Sequence, residues 1–337
     1  MITISLCMIV KNEERILARC LDTVADLVEE MIIVDTGSTD RTKEIAARYT
    51  DKIYDFEWTD DFSAARNYAF SKATREYIYS ADADEVLNPE NRERFRVLKE
   101  NLLPEIELVQ MKYGNQLQHG SVYNFDEEYR PKLFKRQREF VWEGPIHETV
   151  RTNPVIYDSD IVITHMQEES HAARDLANFR RHTARGIRLD KRLHHMYARE
   201  LYMAGEKEDF LEAADFFQAS ASDTERDSDE IMEACLVAAR AARLADDMLN
   251  FFRYTTKIIA AEGCSEVCCE LGSFYEAMGN PDEAVIWYYN AVYETTPILK
   301  LTSAGKEPLE GLVRCYRALH MPEQAAQYQQ ALSELGG

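Results

Sequence analysis

The sequence predicts an α/β domain built on a largely parallel sheet, followed by an all-α domain of helical repeats. In the first half, apolar runs of strand length alternate with segments whose apolar residues recur at helical spacing. Apolar strands that alternate with helices indicate a parallel sheet covered on both faces. In the last third, one helical pattern occurs more than once. A repeated helical unit predicts stacked helix pairs.

The elements of the first half follow in order. Strands are predicted at "ISLCMIV", "MIIVD", "KIYDF" and "YIYSA", and helices at "KNEERILARCLDTVADL", "STDRTKEIAARY" and "FSAARNYAFSKA". From about Ile106 to Thr164 the extended segments are shorter, and we expect antiparallel strands appended to the parallel set. Neither a G-x-G-x-x-G nor a phosphate-loop motif follows the first strand, which argues against a dinucleotide site and a phosphate-loop nucleotidase.

Composition and charge disfavour several kinds of partner and predict where the protein is found. The 337 residues are enough for about two domains. A net charge of −21 disfavours binding to nucleic acid and to anionic membranes. No apolar stretch approaches the roughly 18 residues that span a bilayer, and the N-terminal apolar run lacks the features of a secretory signal. Seven cysteines without framework spacing predict reduced thiols and a cytoplasmic protein.

The last third of the chain carries the repeat. Leu271–Ala291 aligns with Leu312–Leu332, and a weaker copy begins at Leu201. The matched positions are Leu271 with Leu312, Tyr275 with Tyr316, Pro281 with Pro322, and Ala284 with Ala325. Small and aromatic residues in paired helices with a Gly- or Pro-marked turn are the tetratricopeptide pattern. Stacked pairs of this kind leave a concave surface suited to peptides or proteins.

The segment "IYSADADEVL" places three carboxylates, Asp82, Asp84 and Glu85, after a buried strand. Carboxylates this close repel each other by roughly 1 kcal/mol or more per pair near a surface. Taken alone, the segment fits a solvated acidic turn. Ligands of parallel sheets bind beyond the carboxyl ends of the strands, however, and the polar ends of the first two strands fall there too. Two hard oxygen ligands one residue apart therefore predict a site for Mn²⁺ or Mg²⁺ that binds a diphosphate.

Four motifs, "CMIVKNEE", "IIVDTGSTDRT", "DFSAARNYAF" and "YIYSADADE", occur in this order. Together they resemble family 2 glycosyltransferases of the GT-A fold over roughly residues 1–165. The resemblance implies a GT-A catalytic domain at 1–170, a basic connecting helix at 171–195 and a tetratricopeptide-like domain at 196–337. This architecture resembles that of flagellin glycosyltransferases and the sublancin S-glycosyltransferase.

The resemblance also implies roles for individual residues. Donor-binding contacts are expected from Val10, Asn12, Glu13, Asp35, Arg66, Asn67, Asp82 and Ala83. Metal ligands are expected from Asp84, Asp82 and the late His165, and imidazole is an acceptable ligand for Mn²⁺. An inverting transfer needs a base, and "FVWEGPIHETV" offers Glu148 first and His147 second, although their roles can also be purely structural. Arg130 and Lys132 are further candidates for diphosphate contact, and Asp40 is expected to cap the following helix.

The resemblance implies a metal-dependent inverting glycosyltransferase that uses UDP-glucose or UDP-N-acetylglucosamine. The repeats favour a peptide or protein acceptor, such as flagellin or a bacteriocin-like peptide, modified on a Ser/Thr hydroxyl or a Cys thiol. A lipopolysaccharide-core glucosyltransferase and a non-catalytic repeat scaffold are the alternatives. The last helix is predicted to cap the repeats or to pair with a second copy in a homodimer.

Overall fold

The computed structural model describes residues 1–114, 128–146, 148–150, 152–166 and 172–335. Contacts among these residues divide the chain into two compact units, and the change from one to the other falls between residues 166 and 172. The first unit contains strands and helices, and the described part of the second is helical. The predicted order, an α/β domain followed by an all-α domain, is confirmed.

The first unit is organised around one sheet. Its described strands are β1 (Ile4–Val10), β2 (Glu30–Asp35), β3 (Ile53–Asp55), β4 (Tyr77–Ser80), β5 (Glu85–Val86), β6 (Leu108–Gly114), β7 (Glu128–Lys135), β8 (Trp142–Glu143), β9 (Thr149–Val150) and β10 (Ile156–His165). Within the described ranges, eight of them form a sheet in the order β3-β2-β1-β4-β7-β6-β10-β5, while β8 and β9 pair separately. The four predicted parallel strands β1 to β4 are confirmed.

The expectation that every appended strand is antiparallel is wrong for β10. Strand β7 is antiparallel to both β4 and β6, but β10 runs parallel to β6. Two reversals of direction therefore give β6 and β10 the direction of β4. As a result, the carboxyl end of β10 lies at the same edge of the sheet as the carboxyl end of β4. The alternation of extended segments along the chain does not encode this direction, which depends on the connections between strands.

Helices cover both faces of the sheet, as the apolar strands predict. The helices are α1 (Leu17–Val24), α2 (Thr42–Ala46), α3 (Phe62–Lys72) and α4 (Pro89–Asn101). Residues of α1, α2 and α4 bury one face, and residues of α3 bury the other with Trp142 of β8. Asp61 caps α3 by accepting a hydrogen bond from Ala64 N at 3.1 Å, which fixes where the helix begins.

Glu30 ties the starts of three strands together at the opposite edge. Its side chain is buried and forms an ion pair with Lys52. It also accepts hydrogen bonds from Ser5 Oγ at 2.5 Å and from Thr74 N at 2.8 Å. Burial by itself raises the pKa of Glu30, but these donors outweigh it and lower the pKa to about 2. The ionised form of Glu30 therefore stabilises the sheet on which the polar strand ends are mounted.

The second unit consists of helices that pack in consecutive pairs. They are α5 (Ala172–Ala184), α6 (Lys191–Ala204), α7 (Lys207–Ser220), α8 (Ser228–Leu244), α9 (Met248–Ala261), α10 (Ser265–Ala277), α11 (Pro281–Tyr293), α12 (Lys306–Ala318) and α13 (Pro322–Glu334). The two aligned segments coincide with α10–α11 and α12–α13, and each second helix begins at its proline. The turns also match, since the aligned Gly279 and His320 both have left-handed backbones, with φ of 72° and 57°. The predicted helical repeat is confirmed.

The basic segment at 171–195 was expected to be one helix, and this expectation is wrong. Within its described part, α5 ends at Ala184 and α6 begins at Lys191. Gly186 adopts a left-handed conformation with φ of 73°, and Asp190 caps α6. Basic side chains of this segment pair with acidic residues between positions 212 and 229, including Arg188 with Asp223 at 3.1 Å.

We predict that Glu30→Gln lowers the free energy of unfolding by about 3 kcal/mol at pH 7, because a depressed pKa is a stability contribution. This contribution is present above the ordinary value of 4.5 and is lost as the pH falls towards 2. Denaturant titrations at pH 7 and pH 3 should therefore show a difference from the parent that at pH 3 is less than half of its value at pH 7. Glu44→Gln, on the exposed side of α2, is the control. An equal difference at both pH values would contradict the assignment.

Candidate active site

The carboxylates after β4 each contact a different basic side chain. Asp82 contacts Arg66 of α3, Asp84 contacts His165 of β10, and Glu85 contacts Lys132 of β7. The three bases come from three separate elements that converge on one edge of the sheet. The charges of Arg66 and Lys132 therefore offset part of the repulsion among the acids, and Asp84 is held by its contact with His165.

Arg66 joins two carboxylates. Its Nη2 donates to Asp82 Oδ1 at 2.8 Å, its Nε donates to Glu148, and its guanidinium lies 5.2 Å from the ring centre of Trp142. Burial alone would lower the pKa of Arg66, but the two carboxylates raise it, so the guanidinium stays charged. The structure thus brings together Arg66 and Asp82, predicted on the donor side, with Glu148, predicted as the base.

Asp82 is ionised in this arrangement. Burial raises its pKa, but the positive charges of Arg66 and Lys132 lower it more, and its pKa lies below the ordinary value of 3.8. Its backbone carbonyl accepts a hydrogen bond from Cys20 Sγ at 3.3 Å. The side chain of Asp82 is 38% exposed, so it combines a fixed backbone with an accessible carboxylate.

Asp84 and His165 form a close pair. The distance from His165 Nε2 to Asp84 Oδ2 is 2.8 Å, and both side chains are largely buried. The backbone joins the same two segments, since Met166 N donates to Asp84 O at 2.8 Å. Within the part of the chain that the structure describes, no group of three or more His, Cys, Asp or Glu residues is arranged to hold a metal. The predicted ligands are therefore divided, with Asp84 and His165 together and Asp82 turned to Arg66.

The first two strand ends form a second polar cluster at the same edge. Asn12, whose backbone is left-handed with φ of 58°, accepts a hydrogen bond from Thr39 N at 2.8 Å through Oδ1. Glu13 N donates to Thr42 Oγ1 at 2.7 Å. Two of the three residues predicted in the first loop thus hold it against the loop after β2. Val10 is buried at the end of β1 and is paired with Asp35 in the strand register.

Asp35 is the last residue of β2, and among the described residues only one of its two carboxylate oxygens accepts hydrogen bonds. Its Oδ1 accepts hydrogen bonds from Gly37 N at 3.0 Å and Ser38 N at 2.9 Å. Its Oδ2 is buried and has no hydrogen-bond partner among the described residues. A buried carboxylate oxygen without a donor is costly in a finished site. This oxygen is therefore suited to accept a hydrogen bond from a bound molecule.

Asp40 was expected to cap the next helix, but the N-cap position of α2 is Arg41; Asp40 precedes it and accepts a hydrogen bond from Thr42 N at 2.9 Å. It also accepts one from Glu14 N at 3.1 Å, so it serves both loops.

Other predicted residues lie behind this edge. Both polar atoms of the Asn67 amide bond the backbone of Trp142, with its Nδ2 donating to the carbonyl at 2.9 Å and its Oδ1 accepting from the N–H at 2.8 Å. Asn67 thus holds β8 against α3 instead of contacting the carboxylates. Ala83 is buried between the two aspartates. His147, the second candidate base, lies outside the described residues.

The candidates for diphosphate contact are placed differently from the expectation. Lys132 is buried and paired with Glu85, and Arg130 lies over the ring of Tyr113, 4.3 Å from its centre. Sequence reasoning missed Tyr113 and Trp142 altogether. Both are apolar-patterned strand residues, and nothing in their spacing separates them from ordinary core aromatics.

Carboxylates, a buried arginine and an imidazole thus meet at the carboxyl edge of an α/β sheet, the edge at which such sheets bind ligands. Residues 5–157 match the family model of glycosyl transferase family 2, so this part of the chain is similar to a family 2 glycosyltransferase domain. The parallel β1–β4 set followed by the strands β6, β7 and β10 is its GT-A architecture.

Similar proteins include a repeat-containing protein and a glycosyltransferase. A TPR repeat-containing protein of Synechococcus elongatus is 39% identical over 151 residues, which are 44% of this chain and 36% of that protein. The prophage-derived glycosyltransferase SunS of Bacillus subtilis is 40% identical over 92 residues, which are 27% of this chain and 22% of that protein. The chain thus spans about a third and a fifth of the length of these relatives.

Among solved structures, glucosyl-3-phosphoglycerate synthase from Mycobacterium tuberculosis, in complex with Mn²⁺ and UDP-glucose, is similar with a TM-score of 0.40 and 14% identity. The likeness covers 56% of this chain and 81% of that one.

We predict that Arg66→Met lowers the free energy of unfolding by about 2 kcal/mol at pH 7. Breaking a fully buried pair costs more, but Asp82 is partly exposed and screened by solvent. Because the pKa of Asp82 is depressed in the parent, the difference between parent and variant should narrow as the pH falls below 3.8. Denaturant titration at several pH values measures both effects.

The control for this prediction is Arg92→Met, which removes an ion pair with the half-exposed Asp26. A surface pair of this kind contributes about 1 kcal/mol or less. If Arg66→Met and Arg92→Met lose the same free energy of unfolding, the contacts of Arg66 do not stabilise the carboxylate edge.

Proposed function

We propose that this protein is a metal-dependent inverting glycosyltransferase that transfers a hexose or N-acetylhexosamine from a UDP-sugar to a peptide or protein. The observation that carries the proposal is the Asp84–His165 pair beside the Asp82–Arg66 pair, at the carboxyl edge of a domain similar to family 2 glycosyltransferases. Equivalent edges of parallel sheets are where ligands bind.

The donor set fits a divalent cation. Asp84 and His165 supply one carboxylate oxygen and one imidazole nitrogen, a combination suited to Mn²⁺, and Asp82 supplies a second carboxylate one residue away. Two or three protein ligands leave coordination positions for phosphate oxygens, as is usual for Mg²⁺ and Mn²⁺ in nucleotide sites. When bound, the cation neutralises charge on the departing diphosphate.

The nucleoside end of the donor fits the loops after β1 and β2. The spare oxygen of Asp35 would accept a hydrogen bond from the N–H of the uracil ring or from a ribose hydroxyl. Asn12 and Glu13 hold this edge in place through their bonds to Thr39 and Thr42. Both UDP-glucose and UDP-N-acetylglucosamine meet these requirements.

The acceptor side is assigned to Glu148. In the transfer, the acceptor oxygen or sulfur forms a bond to the anomeric carbon as the bond from that carbon to UDP breaks, and the acceptor proton passes to a carboxylate. Glu148 is largely buried and held by Arg66, which also holds Asp82. Because one guanidinium contacts both carboxylates, Arg66 would set the distance between the base and the donor diphosphate. His147 stays the second candidate base.

We expect Mn²⁺-dependent hydrolysis of UDP-glucose or UDP-N-acetylglucosamine by the full chain, and its loss on chelation. Asp84→Asn should lower kcat/KM by roughly 100-fold or more, since it removes a charged ligand of the cation. Asp51→Asn, an exposed aspartate at the opposite edge, is the control and should hydrolyse donor like the parent. Hydrolysis that persists undiminished with chelator, or in Asp84→Asn, would reject metal dependence.

The helical repeats support a peptide or protein acceptor. Stacked helix pairs present extended surfaces that bind peptides, and binding a remote part of the acceptor raises its concentration at the site. None of the helices in the described ranges has the length and apolar character to cross a membrane. The cytoplasmic location and the homodimer remain predictions from the sequence.

Co-expression with flagellin or with a bacteriocin-like peptide tests the acceptor. We expect mass spectrometry to detect one added hexose or N-acetylhexosamine with the parent and none with Asp84→Asn. Exchanging the modified Cys for Ser, or the reverse, separates S- from O-linkage. Transfer to lipopolysaccharide core instead of peptide would favour the alternative acceptor, and an inactive chain that still binds peptide would favour a scaffold.

A further inference from the structure

Glu85, the third acid after β4, is almost completely buried and takes no part in the proposed chemistry. It forms an ion pair with Lys132, which is also buried, and its Oε1 accepts a hydrogen bond from Tyr113 OH at 2.8 Å. The three residues come from β5, β7 and β6. A buried ion pair of this kind seldom adds net stability over apolar residues of similar volume. Its geometry therefore needs another explanation.

The contacts of this trio lead directly to Asp84 and His165. Glu85 follows Asp84 in the chain, and in the register of β5 with β10 it is paired with His165. The ring of Tyr113 lies beside the imidazole of His165, with 5.1 Å between the ring centres. Tyr113 thus contacts His165 through its ring and Glu85, the residue after Asp84, through its hydroxyl.

The hydroxyl of Tyr113 is suited to this role. Its O–H donates to Glu85 Oε1 at 2.8 Å, and a tyrosine hydroxyl keeps its proton throughout the physiological range. Groups that contact metal ligands in this way orient them, and their loss typically weakens metal binding by about 10- to 100-fold.

We propose that Tyr113, Glu85 and Lys132 form a positioning network that holds Asp84 and His165 together in the geometry needed to bind a divalent cation. The inference rests on the proposed function, because it takes these two residues as the cation's ligands. Lys132 fixes the carboxylate of Glu85, Glu85 fixes the hydroxyl of Tyr113, and the ring of Tyr113 fixes the imidazole. The network acts through the ligands and does not itself contact the cation.

The test measures Mn²⁺ binding to the full chain by electron paramagnetic resonance of the free ion, with and without UDP, so no turnover is needed. Tyr113→Leu removes both contacts and should raise the Kd for Mn²⁺ about tenfold or more. Tyr113→Phe keeps the ring but loses the bond to Glu85, and should raise the Kd about fivefold.

Tyr77→Phe is the matched control, because it removes another buried hydroxyl in the same sheet, one that donates to Ile106 O at 2.6 Å. It should bind Mn²⁺ like the parent. Thermal unfolding of each sample separates a general loss of stability from a local change in the Mn²⁺ site. If Tyr113→Leu does not fold, Tyr113→Phe decides the question by the same measurement.

Asp84→Asn distinguishes the two ways in which the idea can fail. If Asp84→Asn loses Mn²⁺ binding while both folded Tyr113 variants bind like the parent, the site exists but the network does not position it. If Asp84→Asn also binds Mn²⁺ like the parent, the proposed metal site is wrong and the inference falls with it.

Discussion

Three carboxylates in four residues would repel one another at the end of β4, and the structure gives each of them its own basic side chain as a partner. Asp82 has Arg66, Asp84 has His165, and Glu85 has Lys132. Because Arg66 and Lys132 place positive charge beside Asp82 and Glu85, the acids can be held together before any ligand binds. The rest of the site depends on this arrangement, since it brings α3, β7 and β10 to the same edge of the sheet.

The three pairs are not equivalent. Glu85 and Lys132 are both buried, which marks this pair as internal support, whereas Asp82 is partly exposed and Asp84 lies with an imidazole that suits Mn²⁺. Burial thus separates the accessible carboxylate of Asp82 from the buried Glu85–Lys132 pair, while chemistry separates Asp84 and its imidazole partner. Arg66 extends the network to Glu148, so the predicted donor side and the predicted acceptor side share one buried guanidinium.

In the helical unit, an aromatic ring packs against small residues of the neighbouring helices. The buried ring of Tyr288 in α11 lies against two glycines, and a Cβ added at Gly272 of α10 or Gly311 of α12 would come within 2.7 or 2.5 Å of it. Small residues at these positions let the helices approach an aromatic ring closely. The same rule explains why small and aromatic residues recur in the sequence pattern.

The sequence by itself determined the elements whose signal is local. Apolar periodicity predicted β1 to β4 and α3, matched prolines predicted the helix pairs, and the four motifs predicted the glycosyltransferase domain and the residues at its edge. Only the tertiary structure decided the direction of the later strands and which side chains contact one another. His165 reaches Asp84 because β10 runs parallel to β6, and Asn67 bonds Trp142 because β8 packs on α3. These outcomes depend on contacts between residues far apart in the chain, and no local pattern of side chains carries that information.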